Sequence, residues 1–99
     1  SSNIDYYRDG SGNIIKDPTA LASKLKVGDI LIYSNPDNPT GAKGSGWTGH
    51  TATIIDIDST HVTTVEWHEN GKKPTIQKLK KDQLQWFGNT KLEGAATWK

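Results

Sequence analysis

His50 opens an apolar run, Gly49-His50-Thr51-Ala52-Thr53-Ile54-Ile55, and the next apolar run closes on Val65-Glu66-Trp67-His68. An imidazole that a neighbouring polar group can orient is the general-base half of a nucleophilic active site. The other half is missing. The sequence contains no cysteine, and no serine stands in an obvious nucleophile motif.

Strand geometry gives these residues a reason to meet. Side chains alternate along a strand, so in His61–His68 the residues Glu66 and His68 share one face while Val65 and Trp67 share the other. If the two runs pair antiparallel around the turn Asp58-Ser59-Thr60, His50 sits across from the Glu66–His68 region. The second group then fixes the imidazole tautomer and stabilises the imidazolium. A histidine beside a glycine at a strand edge is often only a surface residue. The Gly-His entry, the polar pair opposite and the flanking Trp47 bring the functional reading level with that one.

The elements that must position these residues follow from pattern. Residues 1–17 form a polar arm, or the remnant of an upstream segment, with Asp9-Gly10-Ser11-Gly12 as a turn that permits a loose hairpin. Asp17-Pro18 reads as an N-cap followed by proline at the first helical position. Leu21 and Leu25 share one face of a helix of about two turns, stopped at Gly28. From there the chain reads as β: Asp29–Tyr33, His50–Ile57, His61–Trp67 and Thr75–Leu79, with Asn70-Gly71 as a hairpin turn. Lys80–Phe87 is of mixed character, with a helical turn one option, and Ala95–Trp98 is a closing strand. The expected fold is α+β, mainly β: residues 18–99 form one small domain, a short helix followed by a small antiparallel sheet or SH3-like barrel. Gly41, Gly44 and Gly46 lie in a loop of the kind that borders a site.

Composition narrows the classes. With 99 residues and a hydrophobic share of 32%, the core must be thin and draw on Trp47, Trp67, Trp86 and Trp98 as well as the aliphatic strands. A net charge of +1 with interspersed signs argues against a nucleic-acid or membrane-surface partner. The lysines at 72, 73, 78, 80 and 81 read as a solvated face. Without cysteine there is no disulfide framework and no thiolate metal site, which fits a cytosolic protein and also exported domains built without disulfides. No run is long and apolar enough to cross a bilayer as a helix. No signal peptide begins at Ser1, so either there is none or it lies outside these residues.

Gly28-Asp29-Ile30-Leu31-Ile32-Tyr33, a glycine-rich loop, Gly49-His50 leading an apolar strand and then Val65-Glu66-x-His68 together resemble the C-terminal half of the NlpC/P60 and CHAP peptidoglycan hydrolases. The resemblance covers about residues 27–70 and rests on order and spacing. It implies a papain-like half-domain in which His50 is the base and Glu66 or His68 orients it. Glu66 matches the glutamate of a CHAP Glu-x-Asn ending, with His68 in place of the asparagine; in NlpC/P60 members the orienter is often itself a histidine. The resemblance further implies a cysteine amidase or endopeptidase without cofactor, acting on peptidoglycan and secreted, wall-associated or phage-borne. Trp47 and Tyr33 become candidates to line the substrate groove, while Trp67, facing away from Glu66, is expected in the core. In these families the nucleophilic cysteine heads a helix well upstream of the Gly-Asp strand. Its absence predicts that an N-terminal segment or a separate chain supplies it, or that the domain is a degenerate, inactive one; on each account this chain alone is inactive.

Two other classes compete. Glu66-Trp67-His68 echoes the Glu-x-x-His close of zinc-dependent D-Ala-D-Ala carboxypeptidases, and His50…Asp56 echoes their His…Asp pair. Both spacings are one residue short and the intervening motif glycine is absent, so no metal site is expected. A cysteine-free barrel of short strands with exposed aromatics also suits a non-catalytic, SH3-like wall-binding module.

Overall fold

Short alternating runs separated by turn residues fold into one sheet. The structure, a computed structural model, describes residues 3–35, 49–66, 73–88 and 90–99. The elements are β1 (Ile4–Tyr6), α1 (Pro18–Ala22), β2 (Ile30–Ser34), β3 (Gly49–Ile57), β4 (His61–Glu66), β5 (Thr75–Lys80), a 3-10 turn (Lys81–Gln83), β6 (Trp86–Phe87) and β7 (Thr90–Trp98). All strands pair antiparallel in the order β1-β7-β2-β3-β4-β5, and β6 adds to β7. The protein is therefore mainly β. Among the described residues β1 and β5 end the sheet.

The N-terminal segment belongs to this sheet. Ile4, Asp5 and Tyr6 pair with Trp98, Thr97 and Ala96. The chain then reverses at Asp9, whose carboxylate accepts from the amides of Ser11 (2.8 Å) and Asn13 (3.0 Å). Asp17 caps α1 as its residue type predicts, accepting from the Ala20 amide at 2.9 Å, with Pro18 at the helix start. The helix ends at Ala22, sooner than Gly28. The Lys24 amide bonds the Leu21 carbonyl at 2.8 Å and the Ser23 hydroxyl folds onto the Ala20 carbonyl at 2.9 Å, which tightens and closes the last turn. Gly28 then reverses the chain with φ +96°, a conformation that a Cβ would strain.

The core lies on one face of the sheet, from Leu31, Tyr33, Ala52, Ile54, Val62, Leu92 and Ala95, and is closed by Ile15, Leu21 and Leu84. The aromatic expectation needs correction. Trp86 and Trp98 are 49% and 57% exposed. In the two-residue β6 it is Phe87 that packs against the core, which turns Trp86 outward. Trp98 lies at the end of β7 beside the three-residue β1. Trp47 and Trp67 lie outside the described residues, as does the Asn70-Gly71 turn.

Two bulges set which side chains face inward. On β7 the register shifts between Ile32 and Tyr33, leaving Glu93 as the extra residue. Its carboxylate accepts from the Ser34 hydroxyl at 2.8 Å and meets Lys16 at 3.2 Å, and these partners hold it below the ordinary glutamate range. Next to it, a Cβ on Gly94 would lie 2.7 Å from Ile14, so glycine is required there. On β3 the register shifts between Ile54 and Asp56, which leaves Ile55 as the extra residue. Ala52 and Ile54 point inward before the bulge and Ile57 packs on the core after it, while Ile55 and Asp56 are exposed.

The Asp58–Thr60 turn carries a testable charge. Asp58 accepts from the amides of Thr60 (2.8 Å) and His61 (2.7 Å), and these bonds lower its pKa from 3.8 to about 2. A depressed folded-state pKa contributes stability above the unfolded value, lost as pH falls through the folded one. Between pH 4 and 2 the wild type is therefore expected to lose stability that Asp58→Asn never has. Urea unfolding of both proteins across that window checks it, and parallel pH profiles would refute the assignment. Among the described residues no helix is long and apolar enough to cross a membrane.

Candidate active site

Thr53 pairs with Val65 and Ile54 with Thr64. Continuing this register by one residue sets Glu66 opposite Ala52, on the inward face, with His50 as its diagonal neighbour. The β3 bulge is what makes this possible. Nearer the turn the register is Ile57 with Val62 and Asp56 with Thr63. Carried on unbroken, it would set Glu66 opposite the outward-facing Thr53, on the other side of the sheet from His50.

The two side chains meet. His50 Nε2 lies 2.9 Å from Glu66 Oε2, with the side chains 25% and 5% exposed. The oxygen is off the line of the ring N–H, so Nε2 is buried at ion-pair distance without a well-formed hydrogen bond. A small rotation of the ring would complete it, and catalytic hydrogen bonds often align only when substrate is bound. The second carboxylate oxygen, Oε1, accepts from the Gln77 amide at 3.1 Å. Gln77 thus holds Glu66 from β5 while its other oxygen faces the imidazole. A carboxylate partner at Nε2 selects the tautomer protonated there and makes Nδ1 the basic nitrogen.

Aromatic rings set the imidazole plane. The Phe87 ring centroid is 4.4 Å from that of His50, tilted by 33°. Phe87 also packs on Tyr33 at 5.5 Å. Its place is fixed by the β6–β7 hairpin, where the Thr90 hydroxyl donates to the Phe87 carbonyl at 2.6 Å.

Tyr33 is the second correction. Expected to line a groove, it pairs with His50 across β2 and β3 but is only 1% exposed. Its hydroxyl donates to the Leu84 carbonyl at 2.8 Å, and burial raises its pKa well above the ordinary phenol value. It points inward with Leu31, so it supports the base from below and has no face for a substrate. Trp47 and His68 lie outside the described residues. The structure therefore brings together His50 and Glu66 of the residues expected from sequence.

Gln77 and Phe87 are the additions. Gln77 shares the inward face of β5 with Thr75 and Leu79, and a polar residue on the inward face beside the Glu66 strand is a signal for it. For Phe87 the signal is the Gly88-Asn89 dipeptide, a hairpin pattern that makes Trp86-Phe87 a strand.

The Gly-Asp pair plays a different part. Asp29 is fully buried, and its Oδ2 accepts from the Tyr7 hydroxyl (2.6 Å) and the Lys26 amide (2.9 Å). Burial, then the Asp29 contact, raises the Tyr7 pKa. Asp29 sits four residues along the strand from Tyr33, roughly 13 Å from the His50 end, so it clasps the N-terminal segment. Among the described residues no group of three potential ligands converges as a metal site, and Asp56 is exposed beyond the bulge. No protein-family model, curated protein or solved structure matches this chain.

Proposed function

We propose that this chain carries the base half of a papain-like cysteine hydrolase that cleaves amide bonds of peptidoglycan, the nucleophile being supplied by residues outside it. The observation that carries the reading is the approach of His50 Nε2 to the buried Glu66 carboxylate at 2.9 Å. A carboxylate held inside by Gln77 and turned on an imidazole edge is the base-and-orienter half of such a site. The substrate class comes from the resemblance of residues 27–70 to NlpC/P60 and CHAP enzymes, and with it secretion, wall association or carriage by a phage.

In this mechanism His50 Nδ1 takes the proton of the cysteine thiol, and the thiolate attacks the amide carbonyl. The imidazolium then returns the proton to the leaving amine as the C–N bond breaks. Water, deprotonated by His50, hydrolyses the acyl-enzyme and restores the thiol. Glu66 stabilises the imidazolium in both halves.

The test is a longer form of the protein that includes a cysteine upstream of Ser1. It is expected to release peptide-bearing fragments from purified peptidoglycan, to be blocked by a thiol alkylator and to be indifferent to a zinc chelator. The 99-residue chain alone is expected to release none. Hydrolysis by that chain alone would refute the missing-nucleophile reading, and chelator sensitivity would point to the zinc class. One observation favours a second reading, a wall-binding module: Trp86 and Trp98 are about half exposed. Retention on intact cell walls with no hydrolysis by the longer form would select it.

A further inference from the structure

A cleft of about 620 Å³ runs along β5, between that strand and the segment from Gln83 to Gly88. Two of its lining residues already touch the candidate base pair. Gln77 donates to Glu66, and Phe87 stacks against His50. Its other walls include Lys78, Lys80, Gln83 and the half-exposed Trp86. Among the described residues β5 has a strand partner, β4, on one side only.

We propose that this cleft binds an extended acidic peptide, added as a strand beside Gln77–Lys80 on the side of β5 that has no strand partner among the described residues, with its carboxylates at Lys78 and Lys80 and an apolar side chain on Trp86. An edge strand offers unpaired backbone N–H and C=O groups to an extended chain, and pockets for alternate side chains supply selectivity. The lining residues carry ammonium groups and no carboxylate, so the complementary ligand is anionic. Lys78 also leans on Asp58 at 3.7 Å, which leaves Lys80 as the stronger anchor. Gln77 and Gln83 offer amides for the peptide backbone, and a chain lying here runs toward Phe87 and the His50 ring. Peptide binding stands on the cleft alone; its alignment with the base rests on the function proposed above.

The experiment titrates the 99-residue protein with a short, end-blocked peptide alternating alanine and glutamate, followed by amide and indole NMR signals. Its glutamine and lysine counterparts and an oligogalacturonate are run beside it. The glutamate peptide is expected to shift the amides of Gln77–Lys80 and the Trp86 indole and to slow amide exchange along β5. The glutamine and lysine peptides are expected to bind at least about fivefold more weakly. Lys78→Gln combined with Lys80→Gln is expected to weaken the glutamate peptide by roughly fivefold to tenfold, and Trp86→Ala by about tenfold. Equal binding of the glutamine peptide, shifts confined to another face, or preference for the oligogalacturonate would each overturn the proposal. The two readings fail separately. Peptide binding without hydrolysis by the cysteine-bearing form sinks the enzyme, whereas hydrolysis without peptide binding to the cleft sinks the cleft.

Discussion

If the proposed function holds, His50→Ala, in a longer form that includes a cysteine, is expected to lower kcat for peptidoglycan amide hydrolysis by ~10³-fold or more with little change in KM. In the proposed mechanism the imidazole acts when the thiol loses its proton and when the amine leaves, so its removal would be felt in the transition state and hardly in binding. The same substitution leaves the Glu66 carboxylate, 5% exposed, facing an empty space where Nε2 had stood at 2.9 Å. A buried charge that loses a partner costs about 1–3 kcal/mol, so His50→Ala should also lower the melting temperature. Glu66→Gln separates the two effects. Its carbonyl oxygen can take the place of the carboxylate oxygen beside Nε2 and accept from it once the ring rotates, while the negative charge that would stabilise the imidazolium is gone. Activity is expected to fall by roughly 10²-fold with the fold intact. Combining His50→Ala with Glu66→Gln should restore stability relative to His50→Ala and leave activity as low. Steady-state kinetics and thermal unfolding of the three variants provide the measurements. Full activity in His50→Ala refutes the assignment of the base.

The approach of His50 to Glu66 is partly legible in the sequence, because two strands joined by Asp58-Ser59-Thr60 pair antiparallel and bring their far ends together. Which face Glu66 takes is not. That depends on the extra residue, Ile55, between Ile54 and Asp56. The doublet Ile54-Ile55 breaks the alternation of Thr51-Ala52-Thr53-Ile54, yet it does not say which isoleucine is the extra residue. The inward demand comes from Ile57, which the bulge lets pack on the core in place of Asp56. The same limit explains Trp86 and Phe87. Either could face inward from a two-residue strand, and only the docking of β6 on β7, with Phe87 against Tyr33 and His50, decides it. The Asp17-Pro18 cap and the Asp58 turn are legible because their side chains bond backbone amides within a few residues. Gln77 lies eleven positions from Glu66, on a separate strand, and a local reading does not join them.

Tyr33 carries the second large effect. As a residue of a substrate groove it would tolerate loss of its hydroxyl with no change in stability. Buried as it is, Tyr33→Phe leaves the Leu84 carbonyl without its 2.8 Å donor, 51 positions away in sequence. An unsatisfied buried carbonyl costs about 1–2 kcal/mol, a fall in melting temperature of roughly 5–10 °C in a domain of this size. Tyr33→Ala also removes a buried core ring that packs against Phe87, at about 3–5 kcal/mol, a large fraction of what holds a small domain folded. The effect should reach the base. Phe87 contacts both Tyr33 and His50, so in Tyr33→Ala the Phe87 wall of the imidazole loses its backing before the chain unfolds. Calorimetry should rank the stabilities wild type, Tyr33→Phe, Tyr33→Ala, and His50 ring signals in NMR should broaden or shift in the alanine variant below its melting temperature. An unchanged melting temperature in Tyr33→Phe would return Tyr33 to the surface. The expected loss makes it the support on which the orientation of His50 depends.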